Sequence, residues 1–134
     1  MSVYPIDLNL LARLIRFGRK VKLNWTYTID MIITYPNTIL ASAYIPPGHK
    51  GYIYGFFISC GEANDFYISW VHEGATQELL IQLPGKGTIQ YVDFVPLNEI
   101  SPADEDTYIT ITNRLSPSGS ALYQARILYG IEEV

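Results

Sequence analysis

An antiparallel β-sandwich is the fold this sequence predicts, and three observations predict it. Past residue 20 apolar and polar residues alternate at the period of a strand. Clusters of Pro, Gly, Asn, Asp and Ser interrupt that alternation at short intervals. Between those interruptions no segment repeats at helical spacing, so strand follows strand with no crossover helix, which is the pattern of an all-β domain.

The chain opens differently. From Ile6 to Phe17, Leu8, Leu11 and Ile15, with Leu10, Leu14 and Phe17 alongside, recur at helical spacing, while Asn9, Arg13, Arg16 and Lys20 gather on the opposite side. This predicts a short amphipathic helix. Asp7 complements its amino end, and Gly18 can end it in a left-handed conformation with Arg19 and Lys20 near its negative pole. The period then changes to two. Val21, Leu23, Trp25, Tyr27, Ile29, Met31 and Ile33 alternate with mostly polar neighbours, predicting one long half-buried strand that ends at Pro36-Asn37.

Seven further strands are predicted over Thr38 to Tyr44, Tyr52 to Cys60, Phe66 to His72, Thr76 to Leu83, Thr88 to Pro96, Thr107 to Leu115 and Ala121 to Tyr129. Their separators are turn chemistry: Pro46-Pro47-Gly48, Gly61 to Asp65, Pro84 to Gly87, Ser101 to Asp106 and Ser116 to Ser120. Eight strands without helices fit a jelly roll, two four-stranded antiparallel sheets packed face to face. An immunoglobulin-type domain would more often show seven strands and a cysteine pair across the sheets, which this chain lacks. The expected organisation is an arm over residues 1–20 and a sandwich over 21–134.

Several of these strands are apolar on both faces. Tyr52, Tyr54, Phe56 and Ile58 alternate along one face of the third strand, with Ile53 and Phe57 on the other, and Leu79, Ile81 and Leu83 face away from Leu80. A sandwich buries one face of each sheet, so the surplus calls for a helix, a loop or a neighbouring subunit. Composition agrees: hydrophobic residues make up 49% of the 134 and charged ones only 16%, with 11 tyrosines suited to interfaces.

Charge divides the chain in two. Up to Trp25, five cations (Arg13, Arg16, Arg19, Lys20 and Lys22) stand against Asp7, a net +4, whereas the remainder carries four cations against twelve carboxylates, a net −8. A basic arm on an acidic body points to a protein partner, an anionic membrane surface or, third, a nucleic acid. Leu10, Arg13, Leu14, Arg16, Phe17, Arg19, Lys20 and Lys22 are the candidate assembly contacts. The apolar half of such a helix needs burial, which bare phosphate contact would not supply, so protein or membrane is the expected partner.

Catalysis is poorly served. His49 and His72 are the only histidines and neither sits at ligand spacing, so no metal or cofactor is expected. The lone Cys60 excludes an intramolecular disulfide. His72-Glu73 beside Trp70 reads as a strand end and turn, and nothing indicates that Asp65 and Asp93 approach as paired carboxylates. Trp25 and Trp70 are candidate aromatics for a carbohydrate platform. No apolar run reaches the ~18 residues of a membrane span, and in Leu8 to Phe17 the basic residues lie within and after the apolar stretch, unlike a signal peptide.

The basic amino-terminal segment with Arg13, Arg16, Arg19, Lys20 and Lys22, followed by the strand series from Val21 to Tyr129, resembles the single jelly-roll structural proteins of viruses and phages. The resemblance spans the chain but is one of architecture. It implies a capsid, turret or decoration subunit in a virion, an arm that interlocks subunits or binds membrane or genome, other virion proteins as partners, and a symmetric homo-oligomer, expected as a trimer. The alternative expectation is a module that binds carbohydrate or a cell-surface ligand on the same sandwich.

Overall fold

The computed structural model of the chain describes residues 22–27, 29–72, 74–92, 98–100 and 107–133. The predicted helix lies outside them, and with it Leu10, Arg13, Leu14, Arg16, Phe17, Arg19 and Lys20. Among the described residues ten strands are formed: β1 (Lys22–Trp25), β2 (Met31–Ile32), β3 (Ile39–Ile45), β4 (His49–Cys60), β5 (Asn64–His72), β6 (Ala75–Leu83), β7 (Gly87–Val92), β8 (Asn98–Ile100), β9 (Thr107–Asn113) and β10 (Leu122–Glu133). Of the two extra strands, one comes from a break in the predicted first strand, which forms β1 and β2, and the other, β8, lies past the end of the predicted Thr88 to Pro96 strand. Both β1 and β2 pair with β10, and both β7 and β8 pair with β4, so the first sheet is four positions wide with β10 and β4 in its centre. The second sheet runs β3-β9-β5-β6. Counted by position, the first strand pairs with the eighth, the second with the seventh, the third with the sixth and the fourth with the fifth, all antiparallel.

Alternation is cleanest in β5, where Asn64, Phe66, Ile68 and Trp70 are buried and the residues between them are not. Their faces meet Ile81 and Leu83 of β6 and Ile109 and Ile111 of β9, and across the sandwich Phe56, Ile58, Tyr123, Ala125 and Ile127 of the first sheet. Phe66 and Tyr123 meet edge to face across the two sheets, with ring centroids 6.1 Å apart. Each fully buried isoleucine here contributes roughly 2–3 kcal/mol. The surface ion pair of Arg114 with Asp65, 3.0 Å apart, is worth about 1 kcal/mol at most. Packing therefore dominates.

Two predicted faces are corrected. In β1, Leu23 and Trp25 lie opposite Gly130 and Leu128, on the outer side of the sheet, whereas Met31 of β2 lies opposite the buried Tyr123. Between them β1–β2 spends one residue more than β10 does, and a one-residue slip exchanges the faces. In β4 the same happens at Tyr54. Gly55 pairs with Leu128 but Ile53 pairs with Tyr129, leaving Tyr54 without a partner in the ladder. Ile53 consequently faces the core with Phe56 and Ile58, while Tyr52 and Tyr54 join Leu128 and Leu23 in a second, outer cluster. Burial there, with Tyr52 and Glu132 nearby, pushes the Tyr54 phenol up to about 12.

One end of the sandwich is closed by a polar network. The Asn64 amide donates to Leu115 O and Tyr123 Oη, and its Oδ1 accepts from the Asp65 and Leu115 amides. Asn113 does the same for the facing loop, donating to Tyr35 O and Leu115 O and accepting from Thr38 N. Tyr123 Oη donates in turn to Glu62 (2.5 Å), which also accepts from Ser118 N. No buried side-chain polar atom is left without a partner among the described residues. Hydrogen bonds from Ser118 and Tyr123 hold the Glu62 carboxyl below its ordinary range. The resulting stability is present above the unfolded value near 4.5 and is lost as pH falls through the lower folded value.

Asn64→Leu, which strands several of these partners, is expected to lower unfolding free energy by about 3 kcal/mol in urea titrations. Glu62→Gln should be less stable than wild type at neutral pH, and the gap should close as pH falls below the unfolded value near 4.5 and through the lower folded one. Gly55→Ala is the backbone counterpart: a Cβ there would overlap the Tyr91 carbonyl oxygen, so a loss of about 2 kcal/mol or more is expected in the same assay.

Candidate functional site

The outer face of the first sheet carries a shallow depression of ≈ 330 Å³ lined by Trp25, Phe57, Gln90, Gln124 and Arg126. Register assembles it. Arg126 on β10, Phe57 on β4 and Gln90 on β7 lie directly opposite one another in one row across three strands, spanning about 10 Å. Gln124 lies two residues from Arg126 on the same side of β10, in the next row with Ser59 and Thr88, whose hydroxyls are 3.2 Å apart. Trp25 stands opposite Leu128 on the edge strand, diagonal to Arg126 and within reach of a long side chain.

Trp25 is held where the strand leaves the ladder. The next residue, Thr26, donates its amide to Ile127 O at 2.9 Å, and its hydroxyl accepts the Ile127 amide at 3.0 Å. This buried hydroxyl stands in for the strand carbonyl. Trp25 stands opposite Leu128, a member of the outer apolar cluster with Leu23, Tyr52 and Tyr54, and lines the depression with the polar row while remaining 41% exposed. Among the described residues the side chains of Gln90, Gln124 and Arg126 make no hydrogen bond or ion pair. An aromatic face, two amides and a guanidinium thus converge with their polar capacity unspent.

The second feature is a cleft along one open edge. β6 and β7 are edge strands of the two sheets, and between them Phe56, Leu79, Ile81, Ile89 and Tyr91 line an apolar groove of ≈ 350 Å³. Leu79 and Tyr91 lie opposite Ile68 and Phe56 and so face inward, yet each is 41% exposed because the sandwich is not sealed there. On the outer side of the second sheet Tyr44 and Tyr108 pair at 5.4 Å between centroids.

Of the residues singled out in the sequence, Trp25 lies in the depression and Lys22 opens β1 opposite Ile131. Trp70 is a correction to the platform expectation: it is 7% exposed, faces the core from β5 and offers no stacking surface. The remaining arm residues are outside the described part of the chain. Phe57, Gln90, Gln124 and Arg126 were not foreseen. Alternation could have placed each on a strand face, but only strand order puts residues 33 to 69 positions apart into one row.

His72 ends β5 opposite Ala75, and the chain turns at Gly74 with φ 78. Asp65 is engaged by Arg114, while Asp93 lies outside the described residues. Burial raises the Cys60 thiol, which keeps it a neutral core group. Among the described residues no group of three or more His, Cys, Asp or Glu could hold a metal ion, and no helix is long and apolar enough to cross a membrane. No protein-family model and no curated protein matches the chain.

The two tryptophans should report their sites separately. Trp70→Phe is expected to leave a red-shifted emission readily quenched by iodide, and Trp25→Phe a blue-shifted emission that iodide quenches several-fold less. Equal quenching of the two variants would contradict the exposure of Trp25.

Proposed function

We propose that the chain is a jelly-roll sandwich that acts by assembly: a non-enzymatic structural subunit of a symmetric homo-oligomer, of the class that builds virus and phage particles. The nested pairing of first with eighth, second with seventh, third with sixth and fourth with fifth supports the jelly roll, because it is what a long antiparallel ribbon produces when rolled into two sheets. An immunoglobulin-type sandwich would instead pair its first strand with its second.

The observation that carries the assembly reading is the unsealed β6–β7 edge. Edge strands are ordinarily blunted with lysine, proline or a bulge. Here β7 (Gly87–Val92) has no charge and no proline, and β6 (Ala75–Leu83) has only Glu78. Edge strands almost without charge beside an apolar cleft suit a second copy of the chain better than a polar ligand. The basic arm supplies a further contact, its net +4 complementing the −8 of the body in a neighbouring subunit. A trimer is the working stoichiometry and a virion the working location. Other virion proteins, then a membrane surface, then nucleic acid are the further partners the arm can serve.

A second reading, a carbohydrate or cell-surface-ligand module, is favoured by one observation: the Trp25 depression with its uncommitted glutamines and arginine.

Light scattering at micromolar concentration is expected to give a mass several times that of one chain. Leu79→Lys combined with Tyr91→Lys should shift it to the single-chain mass with an unchanged far-ultraviolet spectrum, weakening association at least about tenfold. A wild type that is monomeric at all concentrations overturns the assembly reading.

A further inference from the structure

We propose that the Trp25 depression is a binding site for a saccharide bearing a single carboxylate, with Arg126 as the residue that selects the acid. The inference rests on the ligand-module reading above and adds the chemical class of the ligand. At ≈ 330 Å³ the site is at the small end of ligand pockets, sized for one or two sugar rings rather than a folded partner.

Each lining group matches one part of such a ligand. The exposed indole of Trp25 offers a flat apolar face to the C–H side of a pyranose, with the Phe57 ring on the neighbouring strand. Gln90 and Gln124 each present a donor and an acceptor, the combination that a hydroxyl, itself both donor and acceptor, can satisfy. Arg126 supplies the fork that binds a carboxylate through two parallel hydrogen bonds.

Charge narrows the class. Residues 26–134 carry twelve carboxylates against four cations, yet Arg126 makes no ion pair among the described residues. One guanidinium balances the single charge of a carboxylate. A phosphate ester, at about −1.5 to −2, would leave excess negative charge on an already acidic body. Arg126 therefore favours the monoanion, and a nucleotide is disfavoured although its base could stack on Trp25.

Intrinsic fluorescence of the whole wild-type chain tests this, because Trp70 is buried and Trp25 alone reports the site. Glucuronic acid and N-acetylneuraminic acid are the probes, glucose and N-acetylglucosamine the neutral comparators, and adenosine monophosphate the phosphate comparator. At least one acidic sugar should shift the emission with a dissociation constant on the order of 1 mM, as expected for a shallow one-cation site. Arg126→Gln should weaken it about tenfold and by more than it weakens any neutral sugar, and Arg126→Lys should fall between. Saturation-transfer resonance on the same samples reads binding without relying on Trp25. Equal binding of neutral and acidic sugars overturns the assignment to Arg126 but leaves the ligand-module reading standing. Tighter binding of adenosine monophosphate overturns the sugar class, and no binding of any saccharide overturns both readings.

Discussion

The pairing of β4 with β10 is the constraint on which the rest of this structure depends. It runs from Tyr123 opposite Cys60 to Glu133 opposite His49 and joins the two longest strands at the centre of the first sheet. Everything else in that sheet is hung on it, β1 and β2 on the far side of β10 and β7 and β8 on the far side of β4. Its single irregularity, at Tyr54, decides which side chains the sheet shows to each side. One unmatched residue keeps Ile53 in the core and sends Tyr52 and Tyr54 outward beside Leu128, which creates an apolar ground on an otherwise polar face. The same position is where the partner edge breaks, since Gly55 pairs with Val92 and Ile53 with Asn98.

The two ends and edges of the sandwich are stabilised unequally, and this bears on function. At one end Asn64 and Asn113 bind loop backbone that would otherwise be buried without partners, and Tyr123 links them to Glu62. Among the described residues the buried side-chain polar atoms of that end all have partners. Along the β6–β7 edge the reverse holds: inward-facing apolar residues remain partly exposed and the flanking strands carry almost no charge. Exposed apolar side chains are thus gathered at the open edge, and uncommitted polar ones on the outer face around Trp25. The two are distinct surfaces, one apolar and proposed above as a contact for another copy of the chain, one mixed and proposed as a site for a small polar ligand.

Much of this architecture was legible locally. The periodicity of two, the turn clusters and the absence of helical spacing marked all eight strand positions, with ends shifted by a few residues, because side-chain alternation and φ-restricted turn residues are local properties. The break inside the first position was not legible, nor was the short strand β8 beyond Pro96. A run such as Val21 to Ile33 keeps its alternating composition even where the strand slips by one residue, so the pattern assigned Leu23 and Trp25 to the same face as Met31 and placed them wrongly. Nor did composition separate the two tryptophans. Both sit in apolar, strand-forming surroundings, and only the opposing sheet buries Trp70 while leaving Trp25 at an edge.

What the residues dictate locally, then, is the class of the fold, the places where the chain turns, and a surplus of apolar surface. Those depend on side-chain chemistry read over a few neighbours. Which strands pair, which face of each is outward, and which edge stays open are settled by contacts between segments far apart in the chain. The depression at Trp25 is the clearest case. Arg126, Phe57 and Gln90 have no relation in sequence, and they become a row only because hydrogen-bonded register across β10, β4 and β7 sets each about 5 Å from the next.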